Sequence, residues 1–422
     1  ETAPPGEINL KAYNPDKPIL LSSVFPVLEN MGLSVNCELP SKVALSDGKV
    51  VWVHDFSMRL ENSENNSLTV DEVKPIFEEA LFRILKGEVE DDRFNQLVIK
   101  AGIPSEHIVI LRGYLRYLRQ TSFPFSKSYT ENTLARFPEI CRLLVDLFFA
   151  RFDPSISDDA RANRQGAIKK ALDKQLEKVS SLDHDQIIRL FINVISHTLR
   201  TNYFQKSAQG KQKAYLSFKL ESAEIKSLPK PKPFREIFVY SRRTEGIHLR
   251  GDEIARGGIR WSDRHEDFRT EVLGLMKAQQ TKNSIIVPMG AKGGFIVKHP
   301  PASGDRQDMY REGVECYRIF IRGLLDLTDN LKGHKIEHPE NVVRHDGDDP
   351  YLVVAADKGT ASFSDIANAL SEDYDFWLRD AFASGGSAGY DHKEMGITAR
   401  GAWESVKRHF RELNYDIQKQ ES

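Results

Sequence analysis

Three segments of the chain carry cations whose spacing suits the binding of a small anion. Arg256-Gly257-Gly258-Ile259-Arg260 places a cation beside two glycines, whose bare backbone lets a ligand approach closely. Lys282 ends a helix-like stretch, and Pro288-Met289-Gly290-Ala291-Lys292-Gly293-Gly294 holds another lysine in a predicted glycine-rich turn after a buried strand. Because guanidinium and ammonium groups bind carboxylates, we expect a carboxylate ligand.

An acidic residue follows a further buried run. Asp357 comes directly after Val353-Val354-Ala355-Ala356, where a carboxylate is unusual as packing but well placed as a site residue. Burial would raise the pKa of Asp357, and a neighbouring lysine would lower it again. A carboxylate and a lysine coupled in this way can pass a proton near neutral pH.

These segments lie in a region where predicted strands and helices alternate. The predicted strands are residues 214–220, 236–240, 284–288 and 351–356, and the predicted helices are residues 271–280 and 309–327. Such alternation predicts an open α/β sheet with active residues at the strand ends.

The sequence before this region shows two different hydrophobic patterns. Short apolar runs and a hairpin signal at Ser46-Asp47-Gly48 predict a small α/β module, and residues 62–67 read as a polar linker. From Thr69 onward apolar residues recur at three-and-four spacing, which predicts helices and no strand between about residues 70 and 203.

Composition excludes several classes of protein. Apolar residues make up 40% and charged residues 28% of the 422 residues, as in a folded water-soluble chain. The formal charge of -2 lacks the positive field of a nucleic-acid-binding protein. The sequence has no run of roughly 18 or more apolar residues, so no membrane span is predicted. Cys37, Cys141 and Cys316 lack zinc-like spacing, which favours reduced thiols in a cytoplasmic protein.

In this order, the motifs around Arg256, Lys282, Lys292 and Asp357 resemble the substrate domain of glutamate dehydrogenases. Gly385-Gly386-Ser387-Ala388-Gly389 and Thr398-Ala399-Arg400-Gly401 resemble the stretch where that domain joins the cofactor domain. Residues 258–268 and 375–410 are most similar to the very large NAD-specific members.

The resemblance implies a role for each matching residue. Lys292 would be the catalytic lysine, which polarises the α-carbon centre and positions the attacking water, and Asp357 would move protons to and from the substrate nitrogen. Arg256, where smaller members carry a lysine, would bind the side-chain carboxylate with a bidentate fork. The other implied contacts are Gly257, Gly258 and Met289 with the substrate, Lys282 or else Lys277 with the α-carboxylate, and Thr398 with the nicotinamide amide.

The implied reaction is oxidative deamination of L-glutamate to 2-oxoglutarate and ammonia, with NAD as cofactor. The chain has no G-x-G-x-x-G run. We therefore expect the cofactor domain to lie outside it, and the chain to be a fragment without NAD-dependent turnover of its own. The full-length enzyme is expected to be a cytoplasmic homo-oligomer whose partners are small molecules, with neither nucleic acid nor membrane.

The predicted fold class is thus α/β and α in succession. Residues 1–66 form a small α/β, ACT-like module, residues 67–205 an α-helical region, residues 206–390 the open α/β sheet of the substrate domain, and residues 391–422 the start of the linker and cofactor domain.

Two alternative functions are open at this point. A non-catalytic regulatory or assembly module could keep the pocket only to bind an amino acid or a partner subunit. A related dehydrogenase for apolar amino acids would need an uncharged residue in place of Arg256. His334, His338 and His345 are interpreted as solvated loop histidines and not as metal ligands, and residues 346–349 as a polar turn and not a calcium loop.

Overall fold

The computed structural model describes residues 7–60, 70–282, 288–360, 362–387 and 395–417. The chain divides into two units. The first comprises Glu1–Lys232, Phe238–Arg243 and Glu340–Asp346, and the second comprises Pro233–Ile237, Thr244–Pro339 and Gly347–Ser422. The chain passes between the units repeatedly, so neither unit is one continuous segment.

The first unit begins with a three-stranded antiparallel sheet and one helix. The elements are β1 (Glu7–Pro15), α1 (Leu21–Asn30), β2 (Leu33–Ala44) and β3 (Val50–Leu60), with the strands in the order β1-β3-β2. The predicted hairpin is confirmed: Gly48 has a φ of 82°, which glycine adopts without strain, and Asp47 Oδ1 accepts a hydrogen bond from the Lys49 N–H at 3.1 Å. The linker predicted at residues 62–67 lies outside the described residues.

Seven helices follow among the described residues, which confirms the predicted helical region. They are α2 (Val70–Leu85), α3 (Leu97–Ala101), α4 (Ser105–Arg119), α5 (Lys127–Arg136), α6 (Pro138–Phe152), α7 (Asp158–Leu176) and α8 (Leu182–Ser196). The expectation of no strand before residue 203 is wrong, because β4 (Thr198–Thr201) pairs with β5 (Tyr215–Leu220). Four residues are too few to show a strand period in sequence. β6 (Arg235–Ser241), whose last four residues belong to this unit, is the other neighbour of β5.

Buried ion pairs connect distant parts of the first unit. Arg112 Nε lies 2.9 Å from Asp92 Oδ2, and both side chains are almost fully buried. Arg200 Nε donates to Asp346 Oδ1 at 2.6 Å, and the Lys219 ammonium pairs with the other oxygen of Asp346. Because a buried charge without a counter-charge is strongly destabilising, these pairs fix residues 340–346 to β4 and β5.

The second unit contains the larger mixed sheet. Its strands are β7 (Thr244–Arg250), β8 (Ala255–Trp261), β9 (Met289–Val297), β12 (Val353–Ala356) and β13 (Ala383–Ser384), in the order β13-β12-β8-β9-β7. The first four of that order are parallel and β7 is antiparallel to β9. A small hairpin of β10 (Asn330–Lys332) and β11 (Lys335–Glu337) lies apart from this sheet in strand pairing.

The helices of the second unit are α9 (Phe268–Lys282), α10 (Arg306–Leu325), α11 (Ser364–Asp373) and α12 (Ile397–Glu412). The predicted helices and the strand at residues 351–356 are confirmed with shifted ends. The strand predicted at residues 284–288 falls, except for Pro288, outside the described residues. Within the described part of the chain, no helix combines the length and apolar composition needed to cross a bilayer.

The predicted glycine-rich turn around Lys292 is wrong, because residues 289–297 are a strand. Its glycines serve packing: a Cβ on Gly290 would lie 2.7 Å from Gln279 and one on Gly294 would lie 2.5 Å from Val272, both on α9. The bare backbone therefore lets α9 lie close against one face of β9. On the other face, a Cβ on Gly246 of β7 would lie 2.4 Å from Phe320 of α10.

Candidate active site

Lys292 and Asp357 form a direct ion pair in the second unit. The Lys292 ammonium donates a hydrogen bond to Asp357 Oδ2 at 2.8 Å. The two side chains are 15% and 16% exposed, so a ligand can reach them while most water is excluded. Lys292 lies within β9 and not in the predicted turn. Asp357 directly follows β12, as the sequence predicted.

Gly258, on the strand between them, makes this contact possible. β8 pairs with both β9 and β12, and Gly258 lies opposite Ala355. A Cβ on Gly258 would lie 3.0 Å from Asp357 Cβ and 3.2 Å from Lys292 Nζ. At Gly257 a Cβ would lie 1.6 Å from the carbonyl oxygen of Ala291. The pair of glycines thus lets neighbouring backbone and the lysine side chain occupy space that any other residue would fill.

The loop after β12 holds the Asp357 backbone. The Asp357 N–H donates to Thr360 Oγ1 at 3.1 Å, and the Thr360 hydroxyl donates to the carbonyl of Ile259 on β8 at 2.6 Å. Asp357 Oδ1 accepts the Lys358 N–H at 2.7 Å and also lies 3.3 Å from Arg260. Both carboxylate oxygens therefore have donors.

These contacts determine the charge of Asp357. Partial burial acts to raise the pKa of Asp357, but hydrogen bonds from Lys292 and the Lys358 N–H, with the charges of Lys292 and Arg260, outweigh it and place the pKa below its usual value. The two opposing effects predicted from the sequence, burial that raises the pKa and a neighbouring lysine that lowers it, are both present, and the lowering prevails. Asp357 is ionised at neutral pH because two cations face it.

Arg256 lies on the same sheet face as Gly258, since side chains alternate along a strand. It is opposite Gly290 and Val353, about 7 Å along the strand from the row of Gly258. The Arg256 side chain is exposed, and its charge acts on the half-buried Tyr351. The structure therefore places an accessible guanidinium on the face that carries the ion pair.

Of the other predicted site residues, the structure describes the side chains of some and only the backbone of others. Met289 begins β9 and is partly exposed, and Lys277 is exposed on α9. Lys282 is the last residue of α9 and Thr398 lies in α12, but both side chains lie outside the described residues.

Two residues that sequence reasoning did not single out also belong to this cluster. Arg260 donates to Glu271 Oε1 of α9 at 2.8 Å as well as facing Asp357. Glu271 Oε2 accepts the Ser262 hydroxyl at 2.6 Å. Alternation along β8 was the available signal, because Arg256, Gly258 and Arg260 fall on one face once the segment is read as a strand.

The three histidines differ in their burial. His334 and His338 are exposed as expected, but His345 is partly buried. Its Nε2–H donates a hydrogen bond to the Arg151 carbonyl at 3.1 Å, and burial and the charge of Arg151 lower its pKa to about 4. The reading of His345 as a solvated loop residue is therefore wrong.

His338 lies beside two carboxylates, one at hydrogen-bond distance and one farther away. Its Nδ1 is 3.1 Å from Asp329 Oδ1, and its Nε2 is 3.7 Å from Asp348 Oδ1. The two carboxylates thus approach opposite nitrogens of one ring. Asp329 Oδ2 also accepts the Asp349 N–H at 2.6 Å.

Comparison with known proteins decides the family. Residues 171–422 match the family model described as the catalytic domain of bacterial NAD-glutamate dehydrogenase. The chain belongs to the bacterial NAD-glutamate dehydrogenase family. Residues 89–154 match helical motif 3 and residues 1–73 the ACT3 domain of glutamate dehydrogenase.

Individual relatives of this glutamate dehydrogenase family agree. Proteins named NAD-specific glutamate dehydrogenase from Halomonas elongata and Pseudomonas aeruginosa are 52% and 50% identical, each over 98% of this chain. A protein of the same name from Mycobacterium tuberculosis is 51% identical over 95% of the chain. The matched regions cover 25%, 26% and 25% of those proteins, so the chain spans about a quarter of their length.

Proposed function

We propose that this chain is the substrate-binding and catalytic portion of an NAD-dependent glutamate dehydrogenase, which converts L-glutamate to 2-oxoglutarate and ammonia. The observation that carries the proposal is the 2.8 Å contact between Lys292 and Asp357, on a sheet face that also bears Arg256. The names of the relatives support the same reaction. A proton-transfer pair is more than a binding module requires.

NAD is proposed as the cofactor of the whole enzyme, where it would accept the hydride from the substrate α-carbon. This sequence contains no G-x-G-x-x-G run, so no dinucleotide site is assigned to it. Thr398 is proposed only as a contact for the nicotinamide amide.

The cations of the site would bind and polarise the substrate. Arg256 is proposed to bind the side-chain carboxylate, and Lys282 the α-carboxylate, with Lys277 as the alternative. Gly257, Gly258 and Met289 would line the site. Since oriented charges act strongly where water is excluded, the partly buried Lys292 ammonium is proposed to stabilise negative charge that develops at the α-carbon centre and to orient the attacking water.

Asp357 is proposed to transfer protons at the substrate nitrogen. In the ion pair its pKa is low, so the ionised carboxylate is a weak base. Asp357 can hold a proton only when its contact with Lys292 loosens, because that contact stabilises the charged form. We propose that a bound substrate shares the Lys292 ammonium and thereby makes Asp357 a better proton acceptor.

We also propose that the chain divides into four parts at residues 66, 205 and 390, and that the full-length enzyme is a cytoplasmic homo-oligomer.

Isothermal titration of the chain with 2-oxoglutarate and L-glutamate tests the proposal. We expect the wild-type chain to bind 2-oxoglutarate and Arg256→Ala to bind about tenfold or more weakly, since a charge-assisted hydrogen bond contributes roughly 1.5–3 kcal/mol. Arg264→Ala is the matched control, because Arg264 is an exposed arginine nearby that pairs with Asp267.

Three results would contradict the proposal. They are wild-type protein that does not bind 2-oxoglutarate, an Arg256→Ala variant that binds as tightly as wild type, and preferential binding of an apolar 2-oxo acid. The last result would favour a dehydrogenase for apolar amino acids.

A further inference from the structure

Arg260 lies between two carboxylates at the carboxyl end of β8. One nitrogen of its guanidinium is 2.8 Å from Glu271 Oε1 and another is 3.3 Å from Asp357 Oδ1. The Arg260 side chain is 19% exposed, similar to both carboxylates. A planar fork with several donors can hold two acceptors in fixed directions, which a lysine cannot do.

The contacts of Asp357 are divided between its two oxygens. Oδ2 accepts from Lys292, whereas Oδ1 faces Arg260 and the Lys358 N–H. A partial rotation of the carboxylate about its Cβ–Cγ bond would break both sets of contacts. Arg260 therefore opposes the rotation that would turn Oδ2 away from Lys292.

Arg260 is itself held in place by α9. Glu271 accepts from Arg260 and from the Ser262 hydroxyl. Burial acts to raise the pKa of Glu271, but the hydrogen bonds from Ser262 and Arg260 lower it below its usual value, so Glu271 is ionised at neutral pH. The cluster holds two cations and two carboxylates, and the charge of Arg260 is largely balanced by Glu271.

From this geometry we infer that Arg260 is a positioning residue, which holds the Asp357 carboxylate so that one oxygen faces Lys292 and the other is fixed from the opposite side. The inference rests on the proposed function, since it assigns Arg260 a task in the proton-transfer pair. Arg260 acts through Asp357 and is not assigned a contact with substrate.

The experiment is a titration of Asp357 in the free chain by carbon-13 NMR of its side-chain carboxyl, assigned with Asp357→Asn. In Arg260→Gln we expect the titration midpoint to rise by about one pH unit or more, since the ionised form loses a neighbouring cation. Lys292→Gln is the positive control and should raise the midpoint as well. Arg264→Gln, which removes an exposed arginine on the same segment, should leave it unchanged.

Arg260→Lys covers the possibility that Arg260→Gln does not fold. One ammonium group can face only one of the two carboxylates, so we expect a smaller rise in the midpoint. A wild-type midpoint in either folded variant would overturn the inference.

Titration calorimetry with 2-oxoglutarate separates this inference from the proposed function. If the wild-type protein does not bind 2-oxoglutarate, the proposed function is wrong. The NMR titration midpoint tests the role of Arg260 separately, because it is measured without any ligand. Loss of binding in Arg260→Gln as large as in Arg256→Ala would make Arg260 a substrate-binding residue and would also overturn the inference.

Discussion

Glu131 of α5 offers a quantitative test of the electrostatics of the first unit. Its side chain is 4% exposed, and Oε1 lies 3.4 Å from the Lys127 ammonium. Burial and the charge of Asp92 raise the pKa of Glu131 to about 7, although Lys127 and Arg112 act to lower it. The folded chain therefore ionises Glu131 less readily than the unfolded chain, where the pKa is near 4.5.

The sign and size of the effect follow from linkage. A raised carboxyl pKa means that the folded state binds the proton more tightly, so stability falls as pH rises from 4.5 to about 7 and stays low above it. At about 1.4 kcal/mol per pH unit, the cost above pH 7 is on the order of 3 kcal/mol. We expect Glu131→Gln to raise the free energy of unfolding by most of this amount at about pH 8 and by little at about pH 4.5.

Urea denaturation at the two pH values, with hydrogen exchange of α5 amides to localise the change, measures the difference. Glu139→Gln is the control, because Glu139 is 59% exposed and its pair with Arg142 should contribute less than about 1 kcal/mol. The reasoning is refuted if Glu131→Gln gives the same stability change at both pH values or destabilises the chain at the higher one.

Two further predictions concern the second unit. Gly258→Ala should destabilise this unit by about 1–3 kcal/mol, because the added methyl group would contact Asp357 and Lys292. Gly274→Ala, on the exposed side of α9, should stabilise it by about 0.5–1 kcal/mol, since a methyl group there has no neighbour within 4 Å. Equal urea midpoints for the two variants would contradict this prediction. His248 is fully buried, neither ring nitrogen has a hydrogen-bond partner among the described residues, and burial and the charge of Arg250 lower its pKa to about 3. Because the unfolded chain takes up a proton on this histidine below its usual pKa of 6.5, the wild type should lose stability between pH 6.5 and 3, and His248→Leu should reduce that loss; unchanged pH dependence in denaturation curves would argue against it.

The residue types at the site could be predicted from the sequence more readily than the structural elements on which they lie. Asp357 could be placed at a strand end because an acid after a buried apolar run has few packing explanations. Lys292 was assigned to a turn because glycines dominate its segment, and local sequence does not show that α9 packs against Gly290 and Gly294. Arg260 was overlooked for the same reason, since alternation has meaning only after a segment is recognised as a strand.

The other features that the sequence did not predict depend in the same way on residues outside the segment concerned. β4 has only four residues, too few to show a strand period, and its pairing with β5 across the intervening loop is not visible in its own sequence. The pKa of Asp357 could not be judged from sequence, because the second cation beside it, Arg260, comes from another strand.

The interrupted course of the chain limits how the protein can be shortened. A piece ending at Lys232 would keep β4 and β5 but lack residues 340–346, and with them Asp346. Arg200 and Lys219, 0% and 2% exposed, would then lose the carboxylate that balances them in the interior. Such truncation products should misfold or aggregate, and deletions that spare both ends of each ion pair are the ones to attempt.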